Sequence, residues 1–248
     1  MDRKMMGFLE VGKENEHRKP LILQGARQVG KTYSILEFGR THYENVAYFN
    51  FETNPKLNET FEENISPDYL IPILSHIAGQ TIVKEKTLMV FDEVQLCERA
   101  LTSLKYFCEN APDYHIIVAG SLLGVAVNRA KFSFPVGKVD KKKLYTMAME
   151  EFMLALGEDD LVKQIKKCFQ TDTPLPSALH DAAMQLYRQY LVVGGLPECV
   201  MQFAGKKDYI LVRHTQDPLL ASYPNDMSKY NTLHDIKKTK LASDNIPV

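Results

Sequence analysis

Residues 21–33 read LILQGARQVGKTY: a short apolar run, a loop framed by glycines, and a lysine–threonine pair that opens a helical pattern. Glycine, four residues, then Gly-Lys-Thr is the spacing of a phosphate-binding loop, and such a loop works when a buried strand feeds it and a helix leaves it. This requirement commits the chain to a layered α/β architecture. In such a loop Gly25, Ala26, Arg27, Gln28, Val29 and Gly30 turn main-chain N–H groups around phosphate oxygens. Lys31 reaches the β and γ phosphates, Thr32 ligates Mg²⁺, and the following helix offers its N-terminal dipole. The plain alternative, a glycine-rich turn with an exposed lysine, is disfavoured by the strand before it and the helix after it.

Three further runs punctuate the first half: 45–52 (NVAYFNFE), 87–93 (TLMVFDE) and 114–121 (YHIIVAGS). With 20–24 they read mostly as strands covered on both faces, and helical patterns lie between them at 32–43, 69–78 and 101–110. Alternation of this kind predicts a central parallel sheet flanked by helices. After Val139 the pattern changes. A last strand is expected at about 142–147, followed by helical periodicity, so the chain divides into 1–149 and a smaller helical domain, 150–248. Gly157, Pro174, Pro176 and Gly194-Gly195 mark turns of the second part, and the Gly-Gly-Leu-Pro run reads as a helix–helix connection rather than a nucleotide-facing turn.

Composition excludes several classes. With 248 residues, 45% apolar and 25% charged, and a formal net charge of -1, the chain has globular rather than disordered character and no excess of positive charge for nucleic acid. The lysine run at 141–143 reads as a solvated strand edge. Cys97, Cys108, Cys168 and Cys199 form no C-x-x-C pair and are expected as reduced core residues of a cytoplasmic protein, without structural zinc. The seven histidines show no ligand spacing. Neither a leader nor a membrane span is expected, because no apolar stretch is long enough.

The second chemical signal is MVFDE, with Asp92 and Glu93 at the end of a buried run. An aspartate there holds the Mg²⁺ shell of a P-loop protein, and a glutamate after it polarises a water for attack on the γ-phosphate. The competing reading makes both acids caps of the next helix. Ser121 ends another strand, where it either contacts the attacking water and γ-phosphate or caps the helix that follows. Arg129 and Lys138 are candidates for a cation stabilising γ-phosphate charge, within or across subunits, and Arg27 is a further cation in the loop.

A glutamate beside the metal-binding aspartate favours a water-activating NTPase over a small-molecule kinase. Neither an Asn-Lys-x-Asp guanine motif nor Leu-Ser-Gly-Gly is present, so ATP is the expected nucleotide. GARQVGKT, NFE at 50–52, FDEVQ at 91–95, AGS at 119–121, SFPVGKV at 133–139, LYTMAMEEF at 144–152 and YLVVGGLPECV at 190–200 occur in that order. Together they resemble the prokaryotic AAA-type ATPases of the archaeal-ATPase-like group. The resemblance implies an AAA+ core with Lys31 and Thr32 on nucleotide and metal, Asp92 on metal, Glu93 as base and Ser121 in the sensor position. It also implies a further C-terminal domain beyond the helical region, relative to which this chain is expected to be either truncated or a short member. Thr146, Ala148 and Met149 depart from the family's usual LYPLSFEEF pattern, a matter of packing rather than catalysis.

The functional expectation is Mg-dependent ATP hydrolysis that repositions the helical domain. The alternative is a nucleotide-ordered interaction module that hydrolyses little and engages a protein or DNA partner. A nucleotide-dependent oligomer is compatible with either, the oligomeric state being left open by the sequence, and a phosphotransferase is disfavoured because no acceptor pocket is recognisable.

Overall fold

The runs TLMVFD and HIIVAG carry apolar side chains in both alternating registers, so each needs cover on two faces, and every residue of both is buried. A computed structural model describes residues 3–120 and 135–228, with 238, 241 and 245 as isolated positions. Its strands are β1 (Leu21–Gln24), β2 (Asn45–Asn50), β3 (Thr87–Asp92), β4 (His115–Gly120) and β5 (Asp140–Lys143). They form one sheet in the order β2-β3-β4-β1-β5, with every neighbouring pair parallel. All C-terminal strand ends therefore share one edge, the edge at which α/β sheets collect ligands.

Strand alternation sorts the core into two layers. Ile22, Met89, Phe91, Ile116 and Val118 face one side, where α3 (Lys56–Glu63), α4 (Pro67–Ala78) and α5 (Glu98–Asn110) cover them through Leu57, Phe61, Leu74, Leu104 and Phe107. Leu23, Leu88, Val90, Ile117 and Ala119 face the other, beneath Met5 and Leu9 of α1 (Lys4–Lys13) and Ile35 and Phe38 of α2 (Lys31–His42). On the first side Phe49, Phe51, Phe61 and Phe91 interlock with ring centroids 5.6 to 6.0 Å apart. Each such pair adds about 1 kcal/mol beyond its buried area.

Two sequence expectations are revised here. The last strand lies at Asp140–Lys143, not 142–147. All four of its residues are exposed, so this edge strand is the lysine run itself, paired to β1 through the main chain and lacking the apolar signal that marks the central strands. The cysteines are all free, but only Cys97 and Cys199 are core residues, while Cys108 and Cys168 are half-buried. Helices α1 and α3 carry no clear signal in the sequence; both are short and bury only two residues each.

The chain separates into two compact units, Asp2–Thr146 and Met147–Val248. The second comprises α6 (Met149–Ala155), α7 (Asp159–Gln170), α8 (Ser177–Val193), α9 (Pro197–Lys206) and α10 (Tyr209–Ser228). Met147, Phe152, Val193, Val200, Phe203 and Val212 form its main core. The connection between α8 and α9 is Gly194-Gly195-Leu196, a helix–helix turn. A Cβ at Gly195 would collide with the main chain of Met147, whose N–H donates to the Gly195 carbonyl at 2.7 Å. The Tyr190 hydroxyl donates to the Met147 carbonyl at 2.8 Å. Among the described residues no helix is long and apolar enough to cross a membrane.

Candidate functional site

Loop 25–30 joins β1 to α2 at the C-terminal edge of the sheet. Gln28 and Gly30 have φ of 63° and 88°, so the loop folds back on itself before α2 begins. Such alternation of backbone handedness gathers N–H groups into an anion-binding concavity. Gly25 is fixed by close approach: a Cβ there would collide with the Leu144 carbonyl oxygen. The Leu144 N–H donates to the Gln24 carbonyl at 2.7 Å, which carries the β1–β5 pairing one residue past β5.

Lys31, the first residue of α2, is 8% exposed. Its Nζ donates to the carbonyls of Gly25 at 2.9 Å and Ala26 at 2.7 Å. Burial holds its pKa below the ordinary lysine value, against the raising influence of Glu93 and Asp92, while Arg27 adds to the lowering. Two cations and two carboxylates therefore share this corner within electrostatic range.

Asp92 ends β3, two strands from β1 with β4 between them. Its Oδ2 accepts the Thr32 hydroxyl at 2.8 Å and the Tyr48 hydroxyl at 2.8 Å, and its Oδ1 accepts the Glu93 N–H at 3.0 Å. Thr32 and Asp92 thus meet as a pair of oxygen donors, the type of donor set that suits Mg²⁺. Among the described residues no three His, Cys, Asp or Glu side chains gather to hold a metal alone. A divalent ion beside Thr32 and Asp92 would take its other ligands from phosphate and water. Glu93 sits in left-handed backbone at φ 50°, and its Oε2 accepts a hydrogen bond from the Gln95 amide. Neither acid caps a following helix through its side chain: Glu93 stands at the N-cap position of a 3-10 turn, Val94–Leu96, without a side-chain cap bond, and α5 begins after Cys97 with none either.

The geometry thus brings Lys31, Thr32, Asp92 and the loop residues together, with Glu93 adjacent. Lys138 lies elsewhere: it precedes β5, whose first residue aligns with Leu21 at the start of β1, and it pairs with Glu109 at 3.0 Å. It stands at the opposite edge of the sheet, the length of β1 or about 13 Å from the loop, and is no cation for this subunit's own site. Ser121 and Arg129 lie outside the described residues.

Three participants were missed. Tyr48 reaches Asp92 from β2; burial, together with Asp92, pushes its hydroxyl up to about 12 despite a hydrogen bond from Asn50. Its signal was available, because Tyr48 and Asn50 share a face of β2 and Asn50 aligns with Asp92. Gln95, in the FDEVQ run, donates its amide to Glu93. Arg3 is 7% exposed and donates from Nη1 to the Val29 carbonyl at 3.0 Å and from Nη2 to the Tyr145 carbonyl at 2.8 Å. No local pattern announces an arginine that acts 26 and 142 residues away.

A parallel sheet with this strand order, a glycine loop between β1 and α2, and an acid pair at the end of β3 define a P-loop NTPase. The chain belongs to the AAA domain family, whose model matches residues 17–153, and this first unit is a nucleotide-binding domain of the ATPase type. The chain is similar in fold to C. elegans PCH-2 at 12% identity and TM-score 0.43, covering 86% of this chain and 68% of that one. Thermotoga maritima RuvB matches at 14% identity and TM-score 0.39, over 74% of this chain and 67% of that one. Drosophila ORC bound to DNA matches at 15% identity and TM-score 0.44, over 85% of this chain and 64% of that one. No functionally curated protein matches the chain.

Proposed function

We propose that the first unit binds Mg-ATP at residues 25–32 and hydrolyses it, and that the cycle repositions the helical unit. The observation that carries this reading is the Thr32–Asp92 contact of 2.8 Å beside the loop, with Glu93 next in sequence. A bound Mg²⁺ would supply charge neutralisation at the β and γ phosphates. The loop amides bind phosphate oxygens, and Lys31 leaves the carbonyls of Gly25 and Ala26 to pair with the anion that replaces them. Glu93 orients a water and accepts its proton as the new P–O bond forms and the β–γ bridging bond breaks, with ADP as the leaving group.

The Gln95–Glu93 contact favours a second reading, in which the base is restrained and the resting protein turns over slowly. Nucleotide would then chiefly order the chain for a protein or DNA partner. Partner engagement by the helical unit is supported by Phe169, Leu191, Val192, Met201 and Ile210, all more than half exposed.

The test is phosphate release and nucleotide binding by wild type, Lys31→Ala and Glu93→Gln with ATP and Mg²⁺. Lys31→Ala is expected to abolish nucleotide binding. Glu93→Gln is expected to bind like wild type and lose about 100-fold or more in turnover; hydrolysis retained by this variant removes Glu93 from the base role. Negligible wild-type turnover beside micromolar nucleotide affinity, with or without DNA, selects the second reading. Light scattering with a non-hydrolysable analogue tests nucleotide-dependent assembly.

A further inference from the structure

Arg3 carries a buried charge, and its two described hydrogen bonds go to main-chain carbonyls. One belongs to Val29, inside the phosphate loop. The other belongs to Tyr145, two residues beyond β5. A planar guanidinium fork reaches the two from separate nitrogens, whereas an ammonium serves only carbonyls that converge on its single nitrogen, as those of Gly25 and Ala26 do on Lys31.

The acceptors lie at the two ends of a short mechanical path. The loop also touches the chain after β5 through Gly25 against the Leu144 carbonyl and through the Leu144 N–H on Gln24. Thereafter Met147 is gripped within the helical unit, its N–H by Gly195 and its carbonyl by Tyr190. Between the last residue held to the loop, Tyr145, and the first held by the helical unit, Met147, stands Thr146 alone. A displacement of the Val29 carbonyl that Arg3 follows therefore has a covalent path of only two peptide bonds from Tyr145 to the helical unit's first residue.

We propose that Arg3 is a positioning residue that couples the occupancy of the phosphate loop to the chain entering the helical unit. The inference rests on the nucleotide-binding reading above and supplies its route. Lys31 holds the loop from within by donating to the carbonyls of Gly25 and Ala26. An arriving phosphate competes for that ammonium, and the loop rearranges. Arg3 passes the rearrangement of Val29 to Tyr145. Because coupling is reciprocal, a constraint on residues 145–147 also changes nucleotide affinity.

The experiment is hydrogen–deuterium exchange of the full chain, read at peptides spanning residues 143–150, with and without a non-hydrolysable ATP analogue and Mg²⁺. Wild type, Arg3→Lys and Arg3→Ala are compared, with nucleotide affinity and thermal stability measured in parallel. Wild type is expected to change its exchange in these peptides at least threefold on binding. Arg3→Lys is expected to stay folded and to bind within about tenfold of wild type while losing most of that nucleotide-dependent difference; Arg3→Ala loses it as well where it folds. A merely structural arginine would lower stability in both states and leave the difference between them intact, and that result overturns the proposal. Wild type that binds nucleotide without any change at 143–150 also overturns it. Wild type that binds no nucleotide overturns the underlying functional reading instead, so the two failures are distinguishable.

Discussion

The hydroxyl of Thr32 donates to Oδ2 of Asp92 at 2.8 Å across a sequence separation of 60 residues. The contact fixes the start of α2 against the end of β3 and assembles the oxygen pair on which metal-dependent chemistry would depend. Asp92→Asn preserves shape and removes the charge. Its Mg²⁺-dependent turnover should fall about 100-fold, equivalent to about 3 kcal/mol, while nucleotide binding without Mg²⁺ changes only a few-fold. Phosphate release across a Mg²⁺ titration checks this, and an unaltered Mg²⁺ dependence would remove Asp92 from the metal site.

Tyr48 shares that same carboxylate oxygen. Removing its hydroxyl in Tyr48→Phe should cost about 1–2 kcal/mol of stability and lower the apparent affinity for Mg²⁺ by several-fold, without abolishing turnover. Denaturant melts and Mg²⁺ titrations read the two effects separately.

Gln95 restrains the Glu93 carboxylate through its amide. Freed of that contact in Gln95→Ala, the proposed base should hydrolyse ATP faster in the absence of any partner, by about three- to tenfold on the scale of one lost hydrogen bond. A turnover rate lower than wild type would mean that Gln95 orients Glu93 for attack and does not hold it back.

How far the sequence discloses this arrangement depends on the range over which each signal acts. Loop 25–32 and the acids at 92–93 are readable because their chemistry is local: a fixed spacing, or two adjacent side chains at the end of an apolar run. β3 and β4 are readable because burial on both faces forces unbroken apolar runs. β5 escapes because an edge strand needs main-chain pairing but no apolar face, and the apolar Leu144 and Met147 drew the expected strand too far along the chain. Lys138 shows the same limit from the other side. Its position in sequence placed it near candidate phosphate-binding residues, and the strand direction puts it at the far edge. Arg3 is silent altogether, since a lone arginine ahead of a weakly amphipathic helix has many possible partners.

His115, at the N-terminal end of β4, is 6% exposed and hydrogen-bonded to Tyr43 at 2.6 Å. Burial, then the nearby charges of Arg18 and Lys13, push its pKa down to about 4 against the raising effect of Asp113. The folded state therefore takes up its proton later than the unfolded chain does. Above pH 6.5, the ordinary value, this histidine costs nothing; as pH falls toward 4 the unfolded state gains protons first and stability declines, to a loss of about 3 kcal/mol. Urea melts of wild type and His115→Gln between pH 7 and 4 should diverge in slope, with the variant flatter. Parallel curves would place the acid sensitivity elsewhere.

Gly195→Ala should destabilise the helical unit by about 2 kcal/mol, because the added methyl meets main chain that has no rotamer to yield. Nucleotide binding by the first unit should persist at temperatures where the variant's helical unit has melted, a separation that calorimetry and a nucleotide-affinity titration together resolve.

The stretch 144–147 is held at its two ends, by main-chain bonds and by the buried side chains of Leu144 and Met147. Leu144 and Met147 are buried, while Tyr145 and Thr146 present their side chains to solvent. Its tolerance to change is accordingly lopsided: the exposed side chain of Thr146 can be exchanged at little cost, whereas the count of residues is fixed. One residue inserted or deleted there would throw Met147 out of step with Gly195 or Leu144 out of step with Gln24. The join between the two units is thus specified as a length more than as a sequence.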